Sequence, residues 1–199
     1  MDFTIRILQQ KWIEDGGRHD LCSHGEIDLR IGGRQVSVDG QVGDGWSYGV
    51  GEAALGLLRT LKYRHTGVDR VAYRLIPHGC GLILMMGCDI GIHWYVRHDE
   101  GMVCISDIVR YDSNDITQCV EFPDIRIQIP WKVYAEQIVG FAAEAKAFFN
   151  QGIEKDKSVE TIEGEYDAFW SEYDHLLESW EVPCERDLIR DGSDIDFHP

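Results

Sequence analysis

Three residues able to ligate a metal or do nucleophilic chemistry sit within six positions: His19, Cys22 and His24, in the stretch EDGGRHDLCSHG. Imidazole nitrogen and thiolate sulfur suit zinc, but a structural zinc site takes four ligands. His78 with Cys80, or Cys88 with His93, would have to complete the set from far along the chain. No fourth ligand is identifiable from spacing, so the segment reads as a polar surface loop with no metal and no cofactor. Cys22 and His24 also make a possible nucleophile–base pair, because residues two apart on an extended chain project to the same side. No Asn or Asp that would orient the pair is identifiable, and no residue is assigned as catalytic. A small hydrolase or metal-dependent enzyme using the His19/Cys22/His24 loop is the alternative reading.

Two further constellations read as structure. His93, Tyr95 and Arg97 fall on one face of one strand, and a solvent-facing hairpin surface explains them. The segment GQVGDGWSYGVG (40–51) is glycine-rich and precedes a helix, as phosphate-binding loops do. It lacks G-x-x-x-x-G-K-[ST], its glycines miss the G-x-G-x-x-G spacing, and Asp44 would repel a phosphate.

Charge is the largest departure from an average chain. The 199 residues carry a formal net charge of −16. Residues 1–150 hold 20 acidic and 15 basic side chains, whereas residues 151–199 hold 15 and 4. Direct contact with nucleic acid backbone needs a basic surface and is not expected. The acidic C-terminal quarter suits a protein partner that is basic. Within it, Glu163, Glu165, Glu172 and Asp174 are placed on or near the polar side of an amphipathic helix and are the expected protein-binding residues. The longest apolar runs, such as GCGLILMMG, fall far short of the ~20 residues a membrane span needs. The opening MDFTIRILQQKW shows no basic segment followed by an apolar one, so no signal peptide is expected. None of the six cysteines forms a C-x-x-C pair. Cys80, Cys88, Cys104 and Cys119 lie in apolar, strand-like sequence, which fits reduced thiols and a cytoplasmic setting.

These side chains hang on a frame that hydropathy periodicity outlines. Residues 3–8 alternate as a strand. Ile27, Leu29 and Ile31 lead into Gly32-Gly33 and back through Val36 and Val38, a hairpin. From Trp46 to His65 the apolar positions Val50, Ala54, Leu57, Leu58 and Leu61 recur at helical spacing, with Ser47 as N-cap and basic residues in the last turns. Residues 70–76 form a short strand, Leu82–Met86 a central one, and 91–97 with 102–110 a second hairpin. In its second arm Val103, Ile105 and Asp107 alternate with Cys104, Ser106 and Ile108. Ile125, Ile127 and Ile129 make the last strand, ended by Pro130. A helix over 131–149 shows the stripe Tyr134, Ile138, Phe141, Ala145, Phe148. Another, capped by Ser158 and running to about Trp180, shows Ile162, Tyr166, Phe169, Tyr173, Leu176, Trp180. The order gives an α+β fold, an antiparallel sheet built from hairpins and covered by one central and two C-terminal helices. The expected division is a single domain over 1–182 and an acidic tail over 183–199.

Five segments together resemble a family of small, mostly uncharacterised bacterial cytoplasmic proteins: EAALGLLRTLKYRHT (52–66), LIPHGCG (75–81), GCDIGIHWYVRHDEG (87–101), VYAEQIVGFAAEAKAFF (133–149) and GEYDAFWSEYDHLL (164–177). Small acidic proteins of this shape are similar to the immunity proteins encoded beside bacterial toxins. The resemblance carries no catalytic motif and assigns no functional residue. It implies an acidic protein-binding module of the immunity type, neutralising a basic toxin domain.

Overall fold

Alternating apolar residues, two tight glycine-bearing turns and three amphipathic helices produce the predicted α+β architecture. The computed structural model describes residues 2–13, 17–38, 48–67, 69–79, 83, 88–151 and 153–181. Strand β1 (Phe3–Lys11) pairs antiparallel with β2 (His24–Ile31), which also carries β3 (Arg34–Gln35) and β4 (Tyr48–Gly49). The second sheet runs β5 (Ile76–Pro77), β6 (Gly91–Asp99), β7 (Met102–Tyr111) and β8 (Cys119–Glu121), with β9 (Ile127–Pro130) also on β7. One antiparallel bridge, Tyr48 to His78, joins the two sheets. Among the described residues the fold is completed by three α-helices: α1 (Val50–Thr60), α2 (Trp131–Phe149) and α3 (Glu165–Glu178).

Both hairpin turns follow from residue chemistry. Gly32 and Gly33 have φ of 60° and 76°, and Glu100 and Gly101 have 43° and 79°. Two consecutive left-handed residues define the type I′ turn, whose twist matches that of the strands it joins. The buried apolar residues of both sheets and all three helices form one continuous cluster, in which Trp94, Phe3 and Tyr134 are packed ring against ring. Helix α1 is buried nearly all round, as its run of Ala and Leu requires.

Several local expectations change. The strand expected at 70–76 shrinks to Ile76–Pro77, because the Asp69 carboxylate accepts the amides of Val71 (2.8 Å) and Ala72 (3.1 Å) and winds the chain into a turn. The strand expected at Leu82–Met86 (apart from Ile83, a half-buried residue in a bend), the Ser47 cap, most of the glycine-rich 40–51 segment and the 183–199 tail lie outside the described residues. In β7 the alternation slips: Asp107 adopts φ 55° at a bulge, so Ile108 rather than Asp107 turns into the core. The last helix is not continuous from Ser158. A single 3-10 turn over Lys157–Val159 is capped by Asp156, and α3 restarts after Gly164, whose φ of 82° breaks the helical path. Ile162 drops out of the apolar stripe and is 40% exposed.

Gly25 lets β1 and β2 close. A Cβ there would stand 2.0 Å from the Gln9 carbonyl oxygen and 2.8 Å from a Val50 methyl. Gly25→Ala is therefore expected to destabilise by roughly 1–3 kcal/mol, the usual range for overpacking. A urea-unfolding midpoint unchanged from wild type would contradict this.

Candidate functional site

The four acidic residues assigned to binding have unequal surroundings. Glu163 is exposed. Glu165 is buried, and its carboxylate accepts the amides of Thr161 (2.9 Å) and Ile162 (3.1 Å), while Glu160 accepts those of Gly164 and Tyr166 at 3.0 Å. The amides at a helix start have no intrahelical acceptor, and anions are favoured there. Two of the glutamates near this helix start thus serve the fold. Glu172 forms a two-pronged bond with Arg59 of α1 (2.8 and 2.6 Å), and Asp174 pairs with Lys146 of α2. Glu165, Glu172 and Asp174 therefore do not share an open polar face, which corrects the expected placement. The spacing put them opposite the apolar stripe, but α1 and α2 flank α3 and bring basic side chains to its sides. The exposed side of α3 carries Asp167, Ala168, Ser171, His175 and Glu178, with Glu163 just before the helix and Glu181 just after it. Asp167 there receives Lys157 at 2.6 and 2.7 Å.

The His/Cys loop splits. His19 turns to Asp156, with Nε2 3.4 Å from the carboxylate, and stays half exposed. Cys22 and His24 are buried, with Sγ 3.9 Å from Nε2. Local structure explains the difference. The Ser23 carbonyl accepts the Val50 amide at 2.9 Å, which docks this loop onto the start of α1. His24 then enters β2 between Lys11 of β1 and Gly49 of β4. Gly79 passes directly over the His24 ring: a Cβ there would meet Nδ1 at 2.4 Å. Burial pushes His24 down to about 4, against the pull of Asp20. It is a neutral imidazole at pH 7.

Two residues that spacing did not reveal complete the cluster. Glu52, in the first turn of α1, faces Cys22. Burial raises its carboxyl to about 7, against hydrogen bonds from the Cys22 thiol and from its own amide. Lys155 donates to the Gly17 carbonyl at 2.6 Å and stands 3.2 Å over the Trp12 ring. Burial lowers it to about 8, while Asp20 and Cys22 hold it up. Glu52 lies 30 positions from Cys22 and Lys155 lies 133 away, so no local pattern could join them. The only hint was an acidic residue set in the apolar start of a helix. Among the described residues no three His, Cys, Asp or Glu side chains converge so as to hold a metal ion, and Cys22, Cys88, Cys104 and Cys119 are free thiols.

The His93 row is not a solvent face. His93 is fully buried, because the loop between α1 and β5 crosses over it. His65 Nε2 and His93 Nδ1 both lie on the Tyr73 carbonyl (3.0 and 3.2 Å), so those nitrogens carry the protons. The rings are 5.2 Å apart, and His93 packs edge-on against Tyr95. Only Arg97 of the row is exposed. The Arg70 guanidinium lies 5.8 Å from the Tyr95 ring and 3.7 Å from Asp107.

Comparison with protein-family models, curated protein sequences and solved structures finds no match to this chain. Among the described residues no helix is long and apolar enough to cross a membrane.

Proposed function

We propose that this chain is an acidic protein-binding module of the immunity type, which neutralises a basic toxin domain in the bacterial cytoplasm. The observation that carries the reading is the outer edge of α3. Apart from the internally paired Glu165, Glu172 and Asp174, Glu163, Glu178 and Glu181 face solvent, as does Asp167 in its exposed pair with Lys157, and the 40% exposed Ile162 directly precedes Glu163. An apolar side chain bordered by like charges offers a small desolvated anchor inside a steering field. The edge sits on a helix clamped by Arg59 and Lys146, so little ordering remains to be done on binding. The net charge of −16 adds attraction at longer range.

The test uses a basic protein captured on this chain from its native host. Glu163, Asp167, Glu178 and Glu181 are changed together to Lys; Glu165, Glu172 and Asp174 are kept because they hold the fold. The variant is expected to unfold at the wild-type midpoint. Its association at low salt should be slower by roughly tenfold or more, with most of the salt dependence gone, since exposed charges act within a Debye length of about 8 Å at physiological salt. An on-rate equal to wild type at both low and high salt would return this edge to a solubilising role.

A further inference from the structure

We propose that segment 69–73 is an acid-releasable strap: His65 and His93 hold it down by donating to one acceptor, the Tyr73 carbonyl, and protonation of the two rings lifts it from the face of β6 that it covers. The inference is independent of the docking reading, which concerns α3.

The strap is a turn wound on Asp69. The amides of Val71 and Ala72 donate to the Asp69 carboxylate, and the Tyr73 amide donates to the Asp69 carbonyl at 3.0 Å. None of its residues is buried. On either side the backbone is fixed. His65 exchanges both its backbone bonds with Val96 at 2.9 Å, the Leu75 amide donates to the Ile92 carbonyl at 3.0 Å, and Arg74 donates to the Cys88 carbonyl at 2.5 Å. Arg70 ties the strap to Asp107 (3.7 Å) and Glu121 (4.0 Å), but all three side chains are at least a third exposed, and such pairs hold weakly. The Tyr73 carbonyl supplies the inner tie, accepting from His65 Nε2 at 3.0 Å and His93 Nδ1 at 3.2 Å.

Neutral rings fit this arrangement and charged ones do not. A proton added to His93 goes on Nε2, which is buried with no hydrogen-bond partner among the described residues. The new N–H lacks an acceptor, and the rings are 5.2 Å apart, so two charges would also repel. The groups facing the pair do not offset this. Tyr95 packs edge-on to His93, and Arg70 and Arg74 add positive charge. Asp107 and Glu121 are engaged by Arg70, and Asp69 spends its carboxylate on the strap's own amides. Burial holds both rings at about 4, against their bonds to Tyr73. Lifting the strap wets the rings, and each then takes its proton near the ordinary ~6.5. Acid therefore favours the open strap by linkage, while the apolar cluster beneath stays packed. The Ala72 and Val71 amides hold Asp69 below the usual carboxylate range, so the turn itself survives the same acidification.

The test is modification of the folded protein by diethyl pyrocarbonate, which acylates neutral, water-accessible imidazoles, followed by peptide mapping. The exposed His175 is the reference for the reagent, and the buried His24 for global opening. Relative to His175, His93 should react on the order of fiftyfold faster at pH 5.5 than at pH 7, the product of two proton uptakes. That rate should not change in urea well below the unfolding midpoint, because a local opening exposes little surface. His65→Gln keeps a donor for the Tyr73 carbonyl but takes up no proton, so the same ratio should fall to roughly eightfold. A ratio that does not rise with acid overturns the proposal. So does a His93 rate that climbs with urea in step with that of His24, or an unchanged pH response in His65→Gln. Should that variant fail to fold, the pH and urea responses of the wild type decide the question.

Discussion

Acidification from pH 6.5 to pH 4 is expected to remove on the order of 6 kcal/mol of stability, through buried histidines rather than through surface carboxylates. His24, His65 and His93 are each held at about 4 by burial, against an ordinary 6.5. The sign follows from proton uptake. Below pH 6.5 the unfolded chain takes up protons that the folded chain refuses, so stability falls with pH until about 4 and then levels off. At about 1.4 kcal/mol per pH unit, each histidine accounts for roughly 3 kcal/mol. Glu52 runs the other way. Its folded value near 7 lies above the ordinary 4.5, so its burial is costly at high pH, and acidification restores roughly 3 kcal/mol. The neighbours refine the picture without reversing it: Asp20 supports a charged His24, while His78 and Lys11 oppose it; His65 and Arg70 oppose a charged His93, which Asp107 supports. Domains have about 5–15 kcal/mol in total, so the fold should be near its limit at pH 4. Urea midpoints at pH 7, 5.5 and 4.5 measure this, and His93→Gln should lose less on acidification than wild type. A midpoint that is flat down to pH 4 would show that these imidazoles accept protons in place.

Phe169→Ala is expected to destabilise the protein by roughly 3–5 kcal/mol, the range for removing a buried Phe. Phe169 is buried against Gly51 of α1 and packs edge-on to Trp170 at 5.1 Å between ring centres. Together with Tyr173, whose hydroxyl donates to the Ala142 carbonyl at 2.7 Å, it fastens α3 to the rest of the core. Ile162→Ala, on the exposed side of the same region, should stay within about 0.5 kcal/mol of wild type. The pair separates packing from surface, and an unfolding midpoint unchanged by Phe169→Ala would mean that α3 is not anchored there. The consequence reaches the proposed function, because the acidic edge is presented by α3 only while that helix is docked. Loss of partner binding should therefore track the loss of stability in Phe169→Ala, and should appear without any loss of stability in the charge-reversal variant.

The periodic segments were legible from sequence because their burial is set by local spacing. Helix α2 occupies the predicted 131–149, and the two hairpins turn where glycine permits left-handed backbone. Spacing misleads where a single residue interrupts the period. Asp107 at φ 55° shifts β7 by one position, and Gly164 at φ 82° divides what the apolar stripe presented as one helix. Periodicity counts residues and is blind to a bulge or a left-handed step until the backbone is placed.

The sequence by itself determined the fold class, the concentration of acid in the last quarter and the local adjacency of Cys22 and His24. Only the tertiary structure decided which charges are free. Glu172 and Asp174 are spent on Arg59 and Lys146, and Glu165 on two amides, because α1 and α2 come to rest against α3. Only the tertiary structure, too, buried His93 beneath the loop between α1 and β5 and set Glu52 against Cys22. The reason is common to all of these. A side chain's protonation and availability depend on what desolvates it and which partner reaches it, and those neighbours come from other segments of the chain.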